Sequence, residues 1–178
     1  MNVVAFVGAV VIGCLLAETR VSRGNERRLR QRGAITPPGD VYKVMAVLYP
    51  AAFVAMAAEG MWRAAHDAGP PTGGPNWFVS GVLLFLASKA LKYWAIRALG
   101  ERWTFRVFIV PDLPLVSTGP YRYVAHPNYV AVVGELVSTA MMCGAPLAGA
   151  ASVILFGAVL WVRVRFESGV LRRVAGRE

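Results

Sequence analysis

The sequence predicts an all-α protein, a polytopic membrane helical bundle with about five transmembrane helices and a long cytoplasmic loop before the last helical hairpin. Two observations carry this prediction. The chain is 56% hydrophobic and only 16% charged, and its apolar residues fall into five separate runs. A protein of 178 residues has no interior large enough to bury five such runs, whereas a bilayer accommodates them. We expect residues 1–178 to form a single membrane domain.

The five apolar runs are shorter than a complete span. They occupy residues 3–17, 44–58, 77–91, 129–142 and 147–162. A helix needs about 20 residues to cross the hydrocarbon core, so we expect each run to extend into its flanks, to tilt or to thin the lipid locally. Residues 1–99 hold the first three spans and a basic loop, and residues 100–178 hold the long loop, the hairpin and the tail.

The basic residues are segregated by loop, and this segregation predicts the orientation. Of the nineteen Lys and Arg residues, all except Arg63 fall in connections, helix flanks or the tail on one side of the predicted membrane. The positive-inside rule then places the amino terminus outside and the carboxyl terminus in the cytoplasm. The net charge of +9 is explained in this way, and we expect no nucleic-acid partner.

The basic stretch 18–32 is compatible with a helix that ends at Gly33 and the following Pro37-Pro38-Gly39. We expect it to lie as a solvated face at the cytoplasmic headgroups, where anionic lipid attracts each basic residue by about 1 kcal/mol. Membrane lipids are therefore predicted partners. The only cysteines are Cys14, in the first apolar run, and Cys143, at the end of the fourth, so we expect neither a disulfide framework nor a Cys-rich metal site.

The connection 100–129 is too long for a simple helix turn and is rich in aromatic and basic residues, which is typical of a functional loop. Pro127 suits the first position of the next helix and leaves His126 beside the helix start. We predict a helix over 127–143, a tight Gly144-Ala145-Pro146 turn and a return helix from about 147.

Three ionisable residues on the predicted hairpin stand out. Glu135 lies within a span, where a charge is costly and suggests a function. Arg163 and Glu167 are four residues apart on the return helix and share a face, and the hairpin brings them to the same boundary as His126. Structural interpretations remain open, since Arg163 and Glu167 can form a plain interfacial ion pair, Glu135 can bond a neighbouring backbone, and His126 can be structural.

Two motifs on this hairpin resemble those of a known family. The first is Gly119-Pro120-Tyr121-Arg122-Tyr123-Val124-Ala125-His126-Pro127-Asn128-Tyr129, and the second is Arg163-Val164-Arg165-Phe166-Glu167. Together they resemble the isoprenylcysteine carboxyl methyltransferase family, whose signatures read G-P-Y-x-x-x-R-H-P-x-Y and R-I-x-x-E-E. Residues 101–107 and 23–28 look like bacterial members of that family. The chain departs from the pattern at Ala125, where the family has Arg, and at Ser168, where it has Glu.

The resemblance implies an enzyme that uses S-adenosyl-L-methionine and lies in a bacterial inner membrane. It implies that the cofactor is bound by Tyr121, His126, Pro127, Tyr129 and Glu167. A carboxylate such as Glu167 suits the cofactor's ammonium, aromatic faces suit its sulfonium, and the helix start suits its carboxylate. The chain carries no G-x-G-x-x-G motif, which agrees with a cofactor held by helices and a loop instead of a sheet.

Two further residues are predicted to act in catalysis. Arg163 can orient a substrate oxyanion, and Glu135 or His126 can serve as a base for a phenol or enol acceptor, whereas a carboxylate acceptor needs none. The predicted function is O-methylation of a lipophilic acceptor that enters from the bilayer, either an isoprenylcysteine-like carboxylate or an alkyl phenol or pyrone. The alternatives are an NADPH-dependent sterol-type reductase, which carries a similar H-P-N-Y segment, a phospholipid N-methyltransferase and a non-enzymatic membrane scaffold.

Overall fold

The computed structural model describes residues 2–66, 74–109 and 116–175, with side chains for all of these except 74, 75 and 170–175. Five helices make up most of this part of the chain, together with short 3-10 turns at Gly100–Arg102 and Gly119–Arg122. The helices are α1 (Val3–Gln31), α2 (Tyr42–Ala65), α3 (Gly74–Leu99), α4 (Pro127–Cys143) and α5 (Pro146–Ala175). The described ranges contain no strand beyond one isolated bridge between Ile35 and Ile109.

Four of these helices are long and apolar enough to cross a membrane, which confirms the predicted membrane bundle. Their candidate spans are Val3–Gln31, Tyr42–Ala65, Asn76–Arg102 and Pro146–Gly169. The remaining helix, α4, has 17 residues and is therefore about 26 Å long, the lower limit for a span. It contacts all four other helices. Helix α4 is thus the central element of the bundle.

The predicted hairpin is confirmed at its turn. Gly144 adopts a left-handed conformation with φ of 65°, which glycine reaches without steric cost, and the Ala145 amide bonds the Ala140 carbonyl at 2.9 Å. Helix α2 reaches the same end, because the Glu59 carboxylate accepts hydrogen bonds from the amides of Leu147 (3.2 Å) and Ala148 (2.6 Å) at the start of α5. We call this end of the bundle the turn end.

The opposite end carries the connections 32–41 and 100–126, and we call it the loop end. Helix α1 runs through this end without a break, and its 29 residues make it about 43 Å long, well beyond a hydrocarbon core of about 30 Å. The prediction that 18–32 is a solvated face is therefore wrong for one side of the helix. Glu18, Ser22, Asn25 and Leu29 are buried there, while the arginines lie on the exposed side.

The apolar core draws on all five helices and has its centre on α4. Leu136 and Met56 are completely buried, and Phe53, Phe156 and Val11 are almost so. Small residues allow the helices to approach closely. A Cβ atom at Gly60 would overlap the backbone of Cys143 in α4, and one at Gly134 would overlap Ser88 in α3. This tight packing gives α4 a fixed position from which its first turn can present side chains.

Candidate functional site

The long loop is held against α1 by polar contacts with the buried side of that helix. The Asn25 amide donates to the Trp103 carbonyl at 2.8 Å, and the Phe105 amide donates to the Ser22 hydroxyl at 2.9 Å. The bridge between Ile35 and Ile109 joins this loop to the α1–α2 connection. Both connections of the loop end therefore pack together beside the first turn of α4.

Tyr129 and Glu167 meet at this end, although 38 positions separate them in sequence. The Tyr129 hydroxyl donates to Glu167 Oε2 at 2.6 Å, and Arg163 Nε donates to the same hydroxyl oxygen at 3.1 Å. The tyrosine comes from the first turn of α4, and the other two come from the last part of α5. The hairpin thus brings the two motifs into direct contact.

Arg163 is buried, with 3% of its side chain exposed, and its guanidinium contacts three parts of the fold. Besides Tyr129 it forms an ion pair with Asp40 and donates to the Phe105 carbonyl at 2.9 Å. Asp40 also accepts hydrogen bonds from the backbone amides of Tyr42 (2.9 Å) and Val107 (3.1 Å). Arg163 is consequently held in one orientation by groups of the protein.

Sequence reasoning missed Asp40. It lies in the α1–α2 connection, 123 positions from Arg163, just after the Pro37-Pro38-Gly39 segment, which by itself indicates only the end of a helix. The one available signal was its isolation, since Asp40 is the only acidic residue between Glu26 and Glu59. That signal does not say which arginine it pairs with.

The remaining predicted residues surround the Tyr129 and Glu167 pair. The His126 ring stacks on the Tyr129 ring with centroids 5.4 Å apart, and its Nε2 lies 3.5 Å from the Ser168 hydroxyl. Pro127 is the buried first residue of α4. Tyr121 is half-buried, and burial, with a smaller contribution from the Glu167 carboxylate, raises its pKa, so its hydroxyl stays protonated at neutral pH.

Glu135 lies apart from these residues, six positions further along α4 and so about 9 Å deeper in the bundle. Lys92 Nζ approaches its Oε1 at 2.7 Å, Lys89 Nζ lies 3.1 Å from its Oε2, and the Tyr49 hydroxyl donates to Oε2 at 2.7 Å. Glu18 contacts the same two lysines at 2.7 Å and 3.1 Å. We call Glu18, Lys89, Lys92 and Glu135 the interior quartet.

Sequence reasoning missed three members of the interior quartet. The charge pattern assigns Lys89 and Lys92 to the cytoplasmic side and Glu18 to a solvated stretch. In the structure all four members are buried. Each charge has partners of opposite sign, as a buried charge requires.

The residues at the loop end form a second group, which we call the boundary cluster: Asp40, His126, Tyr129, Arg163 and Glu167. Asp40 balances the charge of Arg163, which leaves Glu167 as a carboxylate with a tyrosine as its hydrogen-bond partner. A half-buried carboxylate among aromatic rings is suited to an organic cation. Among the described residues, no group of three or more His, Cys, Asp or Glu is arranged to hold a metal ion.

The fold and the cluster define a class: a polytopic helical membrane protein that builds a polar site at one end of its last helical hairpin. Within that class, the chain belongs to the isoprenylcysteine carboxyl methyltransferase family. The model of that family matches residues 81–173, which include most of α3, the long loop and nearly all of the hairpin. Members of this family are methyltransferases.

Individual relatives support the same assignment. The chain is 27% identical over 164 residues to an uncharacterized Bacillus subtilis protein, YpbQ, with 92% of this chain and 94% of the relative covered. It is 30% identical over 110 residues to a probable protein-S-isoprenylcysteine O-methyltransferase from Oryza sativa subsp. indica, covering 57% of this chain and 56% of the rice protein. No solved structure matches the chain.

Proposed function

We propose that this protein is an S-adenosyl-L-methionine-dependent O-methyltransferase that acts on a lipophilic acceptor at the cytoplasmic boundary of a bacterial inner membrane. The observation that carries the proposal is the 2.6 Å contact between Tyr129 and Glu167. It joins the two halves of the family signature into one site at the loop end. Membership in a methyltransferase family supports the proposed reaction class.

The side chains of the boundary cluster fit this cofactor. Only one oxygen of Glu167, Oε2, receives a hydrogen bond from the described residues, so Oε1 is available to an ammonium group. The rings of Tyr121, Tyr129 and His126 offer faces to a sulfonium. The Asn128 amide at the start of α4 lies where a helix favours a carboxylate. When bound, S-adenosyl-L-methionine supplies an electrophilic methyl group.

The protein's part in such a transfer is positioning, since displacement at a methyl group depends on the alignment of acceptor and donor. Arg163 is suited to this role because it fixes the Tyr129 hydroxyl, which in turn orients Glu167. Its proposed contact with a substrate oxyanion stays a prediction, as does general-base action by Glu135. Of the two candidate bases, His126 is the one that lies in the boundary cluster.

Binding of S-adenosylhomocysteine to the detergent-purified protein tests the cofactor proposal. We expect saturable binding by calorimetry, and we expect Glu167→Gln to weaken it by about tenfold, equivalent to about 1.4 kcal/mol. Glu101→Gln is the matched control, because Glu101 is an exposed loop-end carboxylate that pairs with Arg28 and Arg32. Absence of binding by the wild-type protein, or equal losses in both variants, would contradict the proposal.

The stability of the product distinguishes the acceptor classes. With methyl-labelled cofactor and a lipid extract, a carboxylate acceptor gives a methyl ester that mild alkali converts to volatile methanol. A methyl ether, formed from a phenol or an enol acceptor, retains its label in mild alkali. An N-methylated lipid also retains it, with the label on the amine nitrogen. The comparisons favour neither the reductase nor the scaffold alternative, and NADPH serves as the negative-control ligand in the binding experiment.

A further inference from the structure

Two segments to which the proposed function assigns no ligand contact pack against each other in the structure. They are 23–28 in α1 and 101–107 in the long loop. At the exposed edge of this contact Arg28 Nε lies 3.3 Å from Glu101 Oε1. At its centre lies Asn25, which is only 3% exposed. Because a buried polar side chain needs hydrogen-bond partners, the contacts of Asn25 show what the segment in α1 holds in place.

Asn25 uses its whole side-chain amide within the protein. Its Nδ2 donates to the Trp103 carbonyl at 2.8 Å and to the Gly100 carbonyl at 3.2 Å, and its Oδ1 accepts from Arg28 at 2.5 Å. An amide NH2 group has two N–H donors, and both are bound to the backbone of the long loop. Asn25 therefore fixes the position of Trp103 relative to α1.

The Trp103 side chain extends this connection to α4. The residue is 2% exposed, and its indole Nε1 donates to Asn128 Oδ1 at 3.3 Å. The Phe105 ring packs edge-on against the same indole, with ring centroids 5.3 Å apart. We call Asn25, Trp103 and Asn128 the indole bridge, because the indole ring joins α1 to the first turn of α4.

The indole bridge determines which way the Asn128 amide is turned. An indole N–H only donates, so it requires the carbonyl oxygen of the amide, and the opposite orientation would set N–H groups against each other. The Asn128 NH2 group therefore points away from the indole. Within the described ranges, the contact with Trp103 is the one side-chain hydrogen bond of Asn128. Asn128 is half-buried and precedes Tyr129 of the boundary cluster, so its NH2 group is open to a ligand there.

The boundary cluster has a use for such a donor. Each of the three nitrogens of Arg163 already donates to the protein, to Tyr129, Asp40 and the Phe105 carbonyl. The carboxylate of S-adenosyl-L-methionine, which the proposed function places at the start of α4, is therefore better served by a donor other than this guanidinium. The Asn128 amide is suited to it, because a hydrogen bond to a charged acceptor is stronger than one between neutral groups.

We propose that the indole bridge turns the Asn128 NH2 group toward the carboxylate of the bound cofactor. Asn128 is then a further cofactor-binding residue, and Asn25 is a positioning residue that acts on it through Trp103. This inference rests on the proposed function for the identity of the ligand. Segment 23–28 lies outside residues 81–173, which the family model matches, so cofactor affinity would depend on a part of the chain beyond that range.

Two ligands that differ by one group test the contact. S-adenosylhomocysteine carries the carboxylate, whereas its decarboxylated analogue keeps the nucleoside, the sulfur and the ammonium group without it. We expect the wild-type protein in detergent to bind S-adenosylhomocysteine about tenfold more tightly than the analogue, because the analogue leaves the Asn128 donor without an acceptor. Calorimetry with both ligands on one preparation gives this preference as a ratio, which does not change if part of the sample is misfolded.

Asn128→Asp is the most direct variant. Its carboxylate still accepts from the Trp103 indole, but the NH2 donor is replaced by a negatively charged oxygen that repels the carboxylate of the ligand. We expect the affinity for S-adenosylhomocysteine to fall by about tenfold or more, while the affinity for the analogue does not fall. Asn76→Asp, at an exposed asparagine near the start of α3, is the matched control and should change neither affinity.

Trp103→Phe and Asn25→Asp test the positioning. The first keeps an aromatic ring without the N–H, and the second keeps the side-chain shape but sets a carboxylate against two backbone carbonyls. Each should reduce the preference for S-adenosylhomocysteine by about threefold, because Asn128 is still present but is no longer held. Since the two residues act in series, the double variant should lose no more than the larger single loss. Trp94→Phe, at a half-exposed tryptophan, is the control.

The outcomes separate this inference from the proposed function. Equal losses of affinity for both ligands would mean that these residues only stabilise the fold, and would overturn the indole bridge as a positioning device. The same conclusion follows if the wild-type protein has no preference between the ligands, if Asn128→Asp retains that preference, or if the losses of the two positioning variants add. If the wild-type protein binds neither ligand, the proposed function fails, and Asn128 loses its ligand with it.

Discussion

Two groups of charged side chains lie about two helical turns apart along α4, one inside the bundle and one at its loop end. The interior quartet has two carboxylates and two ammonium groups, and each of them contacts both groups of opposite charge. In the boundary cluster Asp40 balances Arg163, and among the side chains that the structure describes Glu167 forms its hydrogen bond with Tyr129 and no ion pair within 4 Å. The interior quartet, in which every charge is paired, is suited to holding helices together. The boundary cluster, in which one carboxylate has only a tyrosine partner among the described residues, is suited to receiving a ligand.

The largest effect is expected from a substitution that removes one charge from the interior quartet. Lys92→Met leaves two carboxylates and one lysine in the bundle, and removal of one partner from a buried charge network costs about 3–5 kcal/mol. We expect a strongly reduced melting temperature in detergent. Lys43→Met, at an exposed lysine, is the control.

A second substitution sharpens this result. Adding Glu135→Gln to Lys92→Met restores electroneutrality, because Glu18 and Lys89 remain as a pair. We expect it to recover part of the lost stability. If the double variant were less stable than Lys92→Met alone, charge balance would not be the main contribution of the interior quartet.

A smaller effect is expected from opening the boundary cluster further. Asp40→Asn removes the carboxylate that balances Arg163, so the guanidinium is free to pair with Glu167 and to compete with a cationic ligand. We expect S-adenosylhomocysteine binding to weaken by about tenfold, with a smaller loss of melting temperature than for Lys92→Met. Unchanged affinity would show that the Phe105 carbonyl and Tyr129 alone hold Arg163 in place.

The smallest effect is expected at Ser168, one of the two positions that depart from the family signature. Ser168 lies 3.5 Å from His126 Nε2, the outer limit for a hydrogen bond. Ser168→Ala should therefore change the binding free energy of S-adenosylhomocysteine by less than about 0.5 kcal/mol. A loss comparable to that of Asp40→Asn would place the serine among the groups that hold the ligand.

The sequence was sufficient for the hairpin and for the meeting of its two motifs, because these depend on local signals. Pro127 at a helix start, Gly144 in a left-handed turn and a four-residue spacing on α5 each have one natural structural interpretation. Once the hairpin is in place, Tyr129 and Glu167 must lie at the same end. The family motifs then indicate which side chains to examine.

The partners of Arg163 and Glu135 were not predictable in this way. Asp40, Glu18 and Lys92 each belong to a different connection or helix, and their pairing depends on how the helices rotate against one another. A lysine near a helix end can extend to the headgroups or turn into the bundle. Helix α3 continues to Leu99, beyond the apolar run 77–91, so that Lys92 is also part of the helix, and both lysines turn into the packed bundle.

The interior quartet also bears on how the chain enters the membrane during synthesis. Helix α3 carries two positive charges on its buried side, and the compensating acids lie on α1, which is made before it, and on α4, which is made after it. We therefore expect the newly made α3 to associate first with α1 through Glu18. Its neutralisation is completed only when α4 arrives with Glu135, so the order of synthesis is matched to the order in which the charges are paired.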